Sequence, residues 1–235
     1  MRRLALMCAA WAAVVHASVC EAQEPLHSDF ETWSDIRTVY NFTNTFAYDG
    51  DQGYRTVVSS DDWSLMYLRP SVQYKWTSFL AVRGGVALFY LFQNVDSAEF
   101  RLWEGLQLFW PKLSELTFDQ YVRLEQRFLS IQRTEHQFVH RFRYRIRVRT
   151  RPRPVLGIPT PSDAMLGYEV FVYLDDSVWT SQLKEDRLYA GVGNQVSSKW
   201  TVRLEYIRQR LEWSGYAGLA RADNILRIRL TCVIH

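Results

Sequence analysis

The stretch Arg141-Phe142-Arg143-Tyr144-Arg145-Ile146-Arg147-Val148-Arg149 alternates a guanidinium with an apolar or aromatic side chain at every step. Successive side chains of a strand point to opposite faces, whereas a helix would scatter the arginines around its circumference. As a strand, the stretch puts its arginines on one face and Phe142, Tyr144, Ile146 and Val148 on the other. One face is greasy and the other strongly charged.

The same period continues on both sides. Phe118, Val122, Leu124 and Phe128 alternate with Tyr121, Arg123, Glu125 and Arg127. Further on, Leu166, Tyr168, Val170, Val172 and Leu174 alternate with Gly167, Glu169 and Asp175; Trp200, Val202, Leu204 and Tyr206 with Arg203 and Glu205; and Leu226, Ile228, Leu230, Cys232 and Ile234 with Arg227, Arg229 and Thr231. About ten such segments are expected, near 33–46, 62–76, 78–92, 97–110, 115–130, 136–149, 163–176, 184–195, 198–212 and 222–234. Very short links (Thr77, Ser197-Ser198) alternate with longer ones (47–61, 177–183, 213–221), the asymmetry of an up-and-down barrel. The link 150–162 holds four of the seven prolines and reads as irregular chain rather than strand. Pro70 falls inside a segment and implies a local irregularity there.

The N-terminus reads as an export signal. Arg2 and Arg3 precede the short apolar run Leu4 to Val15, and Cys20-Glu21-Ala22 offers a cleavage point before Gln23. The twin arginines lack the wider context of a folded-export signal, and Ala17 to Cys20 is a poor lipoprotein box. The organisation expected is a signal peptide at 1–22 and one barrel domain at 23–235. Cleavage removes Cys8 and Cys20 and leaves Cys232 alone, so the fold must hold without a disulfide. No later segment is apolar enough for a membrane helix, and a mean hydropathy of -0.21 suits a soluble protein or a β-barrel.

Period two does not say which face meets water, because a lipocalin-like barrel shows it too. Three features favour the inverted arrangement. Several segments run to 13 to 15 residues, whereas soluble strands cluster near five or six and a tilted membrane strand needs roughly 9 to 11. Aromatic residues gather near segment ends on the apolar face: Tyr74, Trp76, Tyr90, Phe92, Trp110 and Trp200. The export signal supplies the route. The fold class expected is therefore all-β, a single antiparallel up-and-down transmembrane β-barrel of about 10 strands (10–12), in the outer membrane of a Gram-negative-type envelope. Glu104 and His140 fall on the lipid side of this scheme, and a bulge near Gly105 would turn Glu104 inward.

The run Gly50-Asp51-Gln52-Gly53-Tyr54-Arg55, Ser60-Asp61-Asp62-Trp63 and Leu68-Arg69-Pro70-Ser71-Val72-Gln73-Tyr74 resembles a bacterial family catalogued as domain of unknown function 2490. The order continues with Arg83-Gly84-Gly85-Val86, Glu99-Phe100-Arg101, Trp110-Pro111, Tyr121 to Phe128 and Arg141 to Tyr144. The resemblance covers most of the chain past the signal. It implies an outer-membrane barrel with no established activity and no catalytic residues to carry over. Many such barrels end in an aromatic residue read by the assembly machinery, whereas this chain ends Val233-Ile234-His235.

With the apolar faces outward, the lumen is expected to carry Arg69, Lys75, Arg83, Arg101, Arg123, Arg127, Arg141, Arg143, Arg145, Arg147, Arg149, Arg187, Arg203, Arg227 and Arg229. Fewer acids face them: Glu99, Glu125, Glu169, Glu185 and Glu205. Buried charges in such number must pair or meet water. About ten strands leave a narrow interior, so the first expectation is a structural barrel with an Arg/Glu-packed lumen. The second is an anion-favouring channel or a binder of small acidic solutes, because arginine is in surplus. The third is an outer-membrane hydrolase, for which His136 with Ser130 and Glu135 is the one local grouping to name. No catalytic motif, metal-ligand spacing or nucleotide loop is present, so neither a cofactor nor a metal is expected. Strict alternation makes a strand face a better account of the arginines than nucleic acid. The partners expected are outer-membrane lipid, the barrel-assembly machinery and small anionic solutes.

Overall fold

The computed structural model describes residues 28–59, 63–94, 96–111, 113–131, 135–155, 158–174, 183–213 and 219–234; the expected signal at 1–22 lies outside them. Among the described residues there are thirteen strands: β1 (Phe30–Asn41), β2 (Phe46–Val57), β3 (Ser64–Arg69), β4 (Ser71–Lys75), β5 (Leu80–Phe92), β6 (Ser97–Phe109), β7 (Leu116–Ile131), β8 (Glu135–Thr150), β9 (Arg153–Val155), β10 (Ile158–Tyr173), β11 (Leu183–Gln195), β12 (Trp200–Trp213) and β13 (Leu219–Ile234). They form one sheet in which each strand pairs with the next around the ring, and β1 closes on β13. No open edge remains around the ring, so its backbone groups are satisfied by neighbours.

Two details correct the expectation. β3 and β4 are one strand interrupted at Pro70, and β9 is a short addition, so the ring has eleven staves rather than about ten. With an odd number, the first and last strands run the same way, and β1 pairs with β13 in parallel from Phe30↔Asn224 to Tyr40↔Ile234. All other neighbours are antiparallel. Pro70 costs a ladder bond but not the register: Leu68↔Leu88 and Ser71↔Gly85 lie on the same alignment with β5, and the Pro70 carbonyl accepts from Val86 N at 3.1 Å.

The strand β2 lies where a loop was expected. Its Asp49-Gly50-Asp51-Gln52-Gly53 core has the composition of a turn. In the barrel its aspartates face inward to arginines, and Gly53 is required by close packing. A Cβ there would sit 2.6 Å from the Ser34 carbonyl and 2.9 Å from the Tyr67 ring. The proline-rich link is also mostly extended. β9 pairs with the start of β10, and Pro159 and Pro161 precede the first rungs that β10 shares with β11 and β8, where no ladder donor is lost.

Three of the four-residue links at one rim are built alike. Thr43, Thr77 and Ser197 each open a turn in which the side-chain hydroxyl accepts from the backbone N–H three residues on, at 2.9, 3.0 and 3.1 Å. We call this the short-turn rim. The other end carries the connections after β2, β5, β7, β10 and β12, and is called the far rim.

The outer wall is apolar and fully on the surface. Aliphatic side chains occupy its middle, with Leu68, Leu88, Leu204 and Ile228 about half exposed. Aromatic rings flank them. Tyr40, Phe42, Phe46, Tyr74, Trp76, Phe79, Trp110 and Trp200 lie toward the short-turn rim. Toward the far rim are Phe30, Tyr90 and Phe92, and the cross-strand row Phe100–Phe128–Phe138. Glu104 stays on this wall: β6 keeps unbroken register with β5 and β7 through Glu104 and Gly105, so the bulge expected there is absent.

Candidate functional site

Alternation sends the odd-numbered side chains of every ring strand into the lumen, and there the dominant unit is a carboxylate shared by two guanidiniums. Glu99 accepts from Arg101 at 2.5 and 2.7 Å and from Arg127 at 2.5 and 3.0 Å. Glu125, fully buried, takes Arg141 at 2.6 and 2.9 Å and lies 2.9 Å from Arg123. Glu169 serves Arg143 at 2.5 Å and Arg187 at 4.0 Å, and Glu185 serves Arg187 at 2.5 Å and Arg141 at 3.5 Å. Nearer the short-turn rim, Asp119 holds Arg147 at 2.9 Å and Arg145 at 3.8 Å, and Asp163 holds Arg203 at 2.7 Å and Arg149 at 3.6 Å. Asp49 bridges Arg37 and Arg83, Asp51 bridges Arg69 and Arg229, and Asp35 bridges Arg227 and Arg229. Glu205 lies 3.4 Å from Arg227. Some arginines are shared in turn, but fifteen guanidiniums meet ten carboxylates here, so positive charge is left over.

Toward the far rim, that charge is laid on aromatic faces. Arg101 stacks on Phe89 at 3.9 Å, Arg141 and Arg187 on Phe171 at 4.7 Å, and Arg123 on Trp103 at 4.0 Å. Arg55 has no ion pair among the described residues and lies 3.9 Å over Trp33. A quadrupole face attracts a cation more strongly once water is excluded. The rings pack as a core: Trp33, Met165, Tyr189, Ile207 and Ile225 form one buried cluster, and Tyr67, Ala87 and Phe89 another. The lumen is packed around Phe89, Phe171, Glu125 and Ile225, whereas Trp33, Trp103, Arg55, Arg123, Met165, Tyr189 and Ile207 form the inner boundary of a central cavity.

Toward the short-turn rim the lumen opens. A central cavity of about 150 Å³ is lined by eleven arginines, among them Arg55, Arg123, Arg143 and Arg145, against four carboxylates, Asp49, Asp51, Glu169 and Glu205. A second cavity of about 380 Å³ carries Arg147, Arg149, Arg151 and Arg203, and shares Arg37, Arg147, Glu205 and Arg229 with the first. The first has room for a small oxyanion and several waters. Its walls are short of acceptors. Arg55 Nε, Arg83 Nε, Arg123 Nη2, Arg145 Nε and Trp103 Nε1 are buried donors without a hydrogen bond around it, as is the Tyr189 hydroxyl, and Arg203 Nη1 is another beside the second cavity. Glu125 Oε1 faces Arg123 Nε as an ion pair at 2.9 Å.

Every charged residue that the sequence placed on the inner face lies on the odd-numbered face in the structure, with Lys75 near the end of β4 at the short-turn rim. The sequence reading missed Arg37, Arg55, Asp35, Asp49, Asp51, Asp119 and Asp163. Asp119 and Asp163 share parity with Arg123 and Glu169, two and three inward positions away, so extending the alternation would have found them. Asp49 and Asp51 lay in the unrecognised strand. The arginine surplus is therefore smaller than expected, and concentrated around the cavities. Ser130 and His136 are cross-strand partners on the outer face near the far rim; the side chain of Glu135 lies outside the described residues.

A family profile described as "Protein of unknown function (DUF2490)" matches residues 30–216, from the start of β1 to just past β12. The chain belongs to this family. No curated protein matches it. Among solved structures, one titled "NanC porin structure in rhombohedral crystal form" is similar at 11% identity with a TM-score of 0.47, over 76% of this chain and 86% of that one. The DUF2490 match covers the strands that carry the shared-carboxylate lumen, except β13.

Proposed function

We propose that this DUF2490 protein is an exported outer-membrane β-barrel that binds small oxyanions in an arginine-lined lumen reached from the short-turn rim. A half-exposed aliphatic wall between aromatic bands suits hydrocarbon flanked by headgroups and would be costly in water. One observation carries the binding: the buried donors around the cavities lack acceptors, and a buried donor without a partner costs about 1–3 kcal/mol. Carboxylate or phosphate oxygens satisfy several such donors at once. The test adds inorganic phosphate or succinate to the purified barrel in detergent and follows its unfolding temperature. Both should raise it at an ionic strength where chloride does not, and Arg145→Gln should blunt the rise. Equal responses to chloride and phosphate would overturn the proposal. The filled far half favours a second reading, a barrel packed for rigidity alone. That reading expects no anion response and no bilayer conductance; an anion-selective current lost in Arg143→Glu with Arg145→Glu would exclude it.

A further inference from the structure

Outside the lumen, the wall carries few charged groups among the described residues, and most are neutralised locally. Asp186 and Arg210 pair at 2.7 Å near the far rim, and Arg208 bonds Asn224 at 2.9 Å and the Ala222 carbonyl at 3.3 Å. Glu104 differs. It sits in the middle of β6, exposed, directly between Gly84 on β5 and Leu124 on β7. A carboxylate facing hydrocarbon is unfavourable, and intramembrane ionisable residues ordinarily face protein or water. Two further polar side chains lie beside it on the next two strands. Gln126 on β7 pairs with Leu102, one outward position along from Glu104, and faces His140 across the β7–β8 ladder. Beside Glu104 the wall has a dent: a Cβ on Gly84 would meet nothing nearer than the Trp103 carbonyl at 3.7 Å. Close packing within this chain therefore does not require the glycine.

We propose that this face of β5–β8 is the contact between two copies of the chain in the membrane. The patch is complementary to itself. A twofold axis along the membrane normal and beside β7 sets β6 of each copy against β8 of the other. Glu104 of one copy then meets the Gln126 and His140 side of the second, and the Gly84 dent admits the approach. Such an isologous contact repeats each pairing twice and closes at two copies. A lipid headgroup suits the patch less well, because neither lysine nor arginine lies in it to meet a phosphate. The proposal rests on the membrane reading but not on anion binding.

The test uses the exported chain with Cys232→Ser, which leaves the outer wall of the barrel without a thiol. Gln126→Cys, nearest the axis, should cross-link to a dimer with a short bis-maleimide in isolated membranes. Val202→Cys, across the barrel on β12, should not. Adding Glu104→Leu to Gln126→Cys should reduce the cross-link to the Val202→Cys level. This variant gives the wall a leucine where it has a charge, so the barrel should keep its heat-modifiable gel mobility. Equal cross-linking at 126 and 202, or a dimer indifferent to Glu104→Leu, would overturn the contact while leaving the barrel standing. Recovery of the chain in the soluble fraction without heat-modifiable mobility would instead remove the membrane reading beneath it.

Discussion

Arg141 and Arg145 are two rungs apart on one strand and both point inward, yet they are held in different ways. Arg141, in the filled half, rests on Phe171 and donates twice to a fully buried glutamate. Arg145, beside the central cavity, lies 5.2 Å over the Tyr121 ring but reaches Asp119 only at 3.8 Å and keeps a buried Nε without a partner. The first arrangement satisfies its charges within the protein; the second leaves donors for something else. In a narrow barrel, this is the difference between a guanidinium that serves packing and one that is available for binding.

Mutations can break or sharpen that contrast. Glu125→Ala should have the largest effect, because it strands Arg141 in a closed interior and Arg123 at the inner edge of the cavity; a loss of about 3–5 kcal/mol is expected for breaking a buried pair, read as the urea midpoint in lipid vesicles. Phe171→Ala removes the ring beneath two guanidiniums and should cost about 3 kcal/mol, followed by tryptophan fluorescence. Asp119→Asn, at the edge of the open half, should cost about 1–2 kcal/mol through weakened charge-assisted bonds while increasing the response to phosphate. Arg145→Gln, which removes a buried donor without a partner along with a 3.8 Å contact to Asp119, should change stability less than Glu125→Ala yet lower the phosphate response in a thermal melt. If Arg145→Gln destabilised the barrel as much as Glu125→Ala, the two halves would not differ in kind.

The strands with strict alternation were legible because a half-charged, half-apolar sheet leaves its period in the sequence. β6 to β8 and β10 to β13 were placed within a few residues, and so was the inner face of each. The failures were local. β2 hid because its inward positions are aspartate and glycine, types that also make turns, and only the opposing Arg37, Arg69 and Tyr67 show why they suit a strand. The prolines of β10 misled because a strand that overshoots its neighbours has no ladder bond to lose. The division of the lumen was not legible, since it depends on which aromatic ring lies under which arginine across the barrel.

The parallel seam between β1 and β13 has a directional consequence. Position 28 emerges at the far rim and position 234 at the short-turn rim, so chain leaving one end and chain leaving the other point to opposite compartments once the ring spans a bilayer. Bacterial single-chain barrels with even strand numbers bring both ends to one side. Here the last join cannot be made by a hairpin: two segments almost 200 positions apart must meet side by side, heads together, to close the ring.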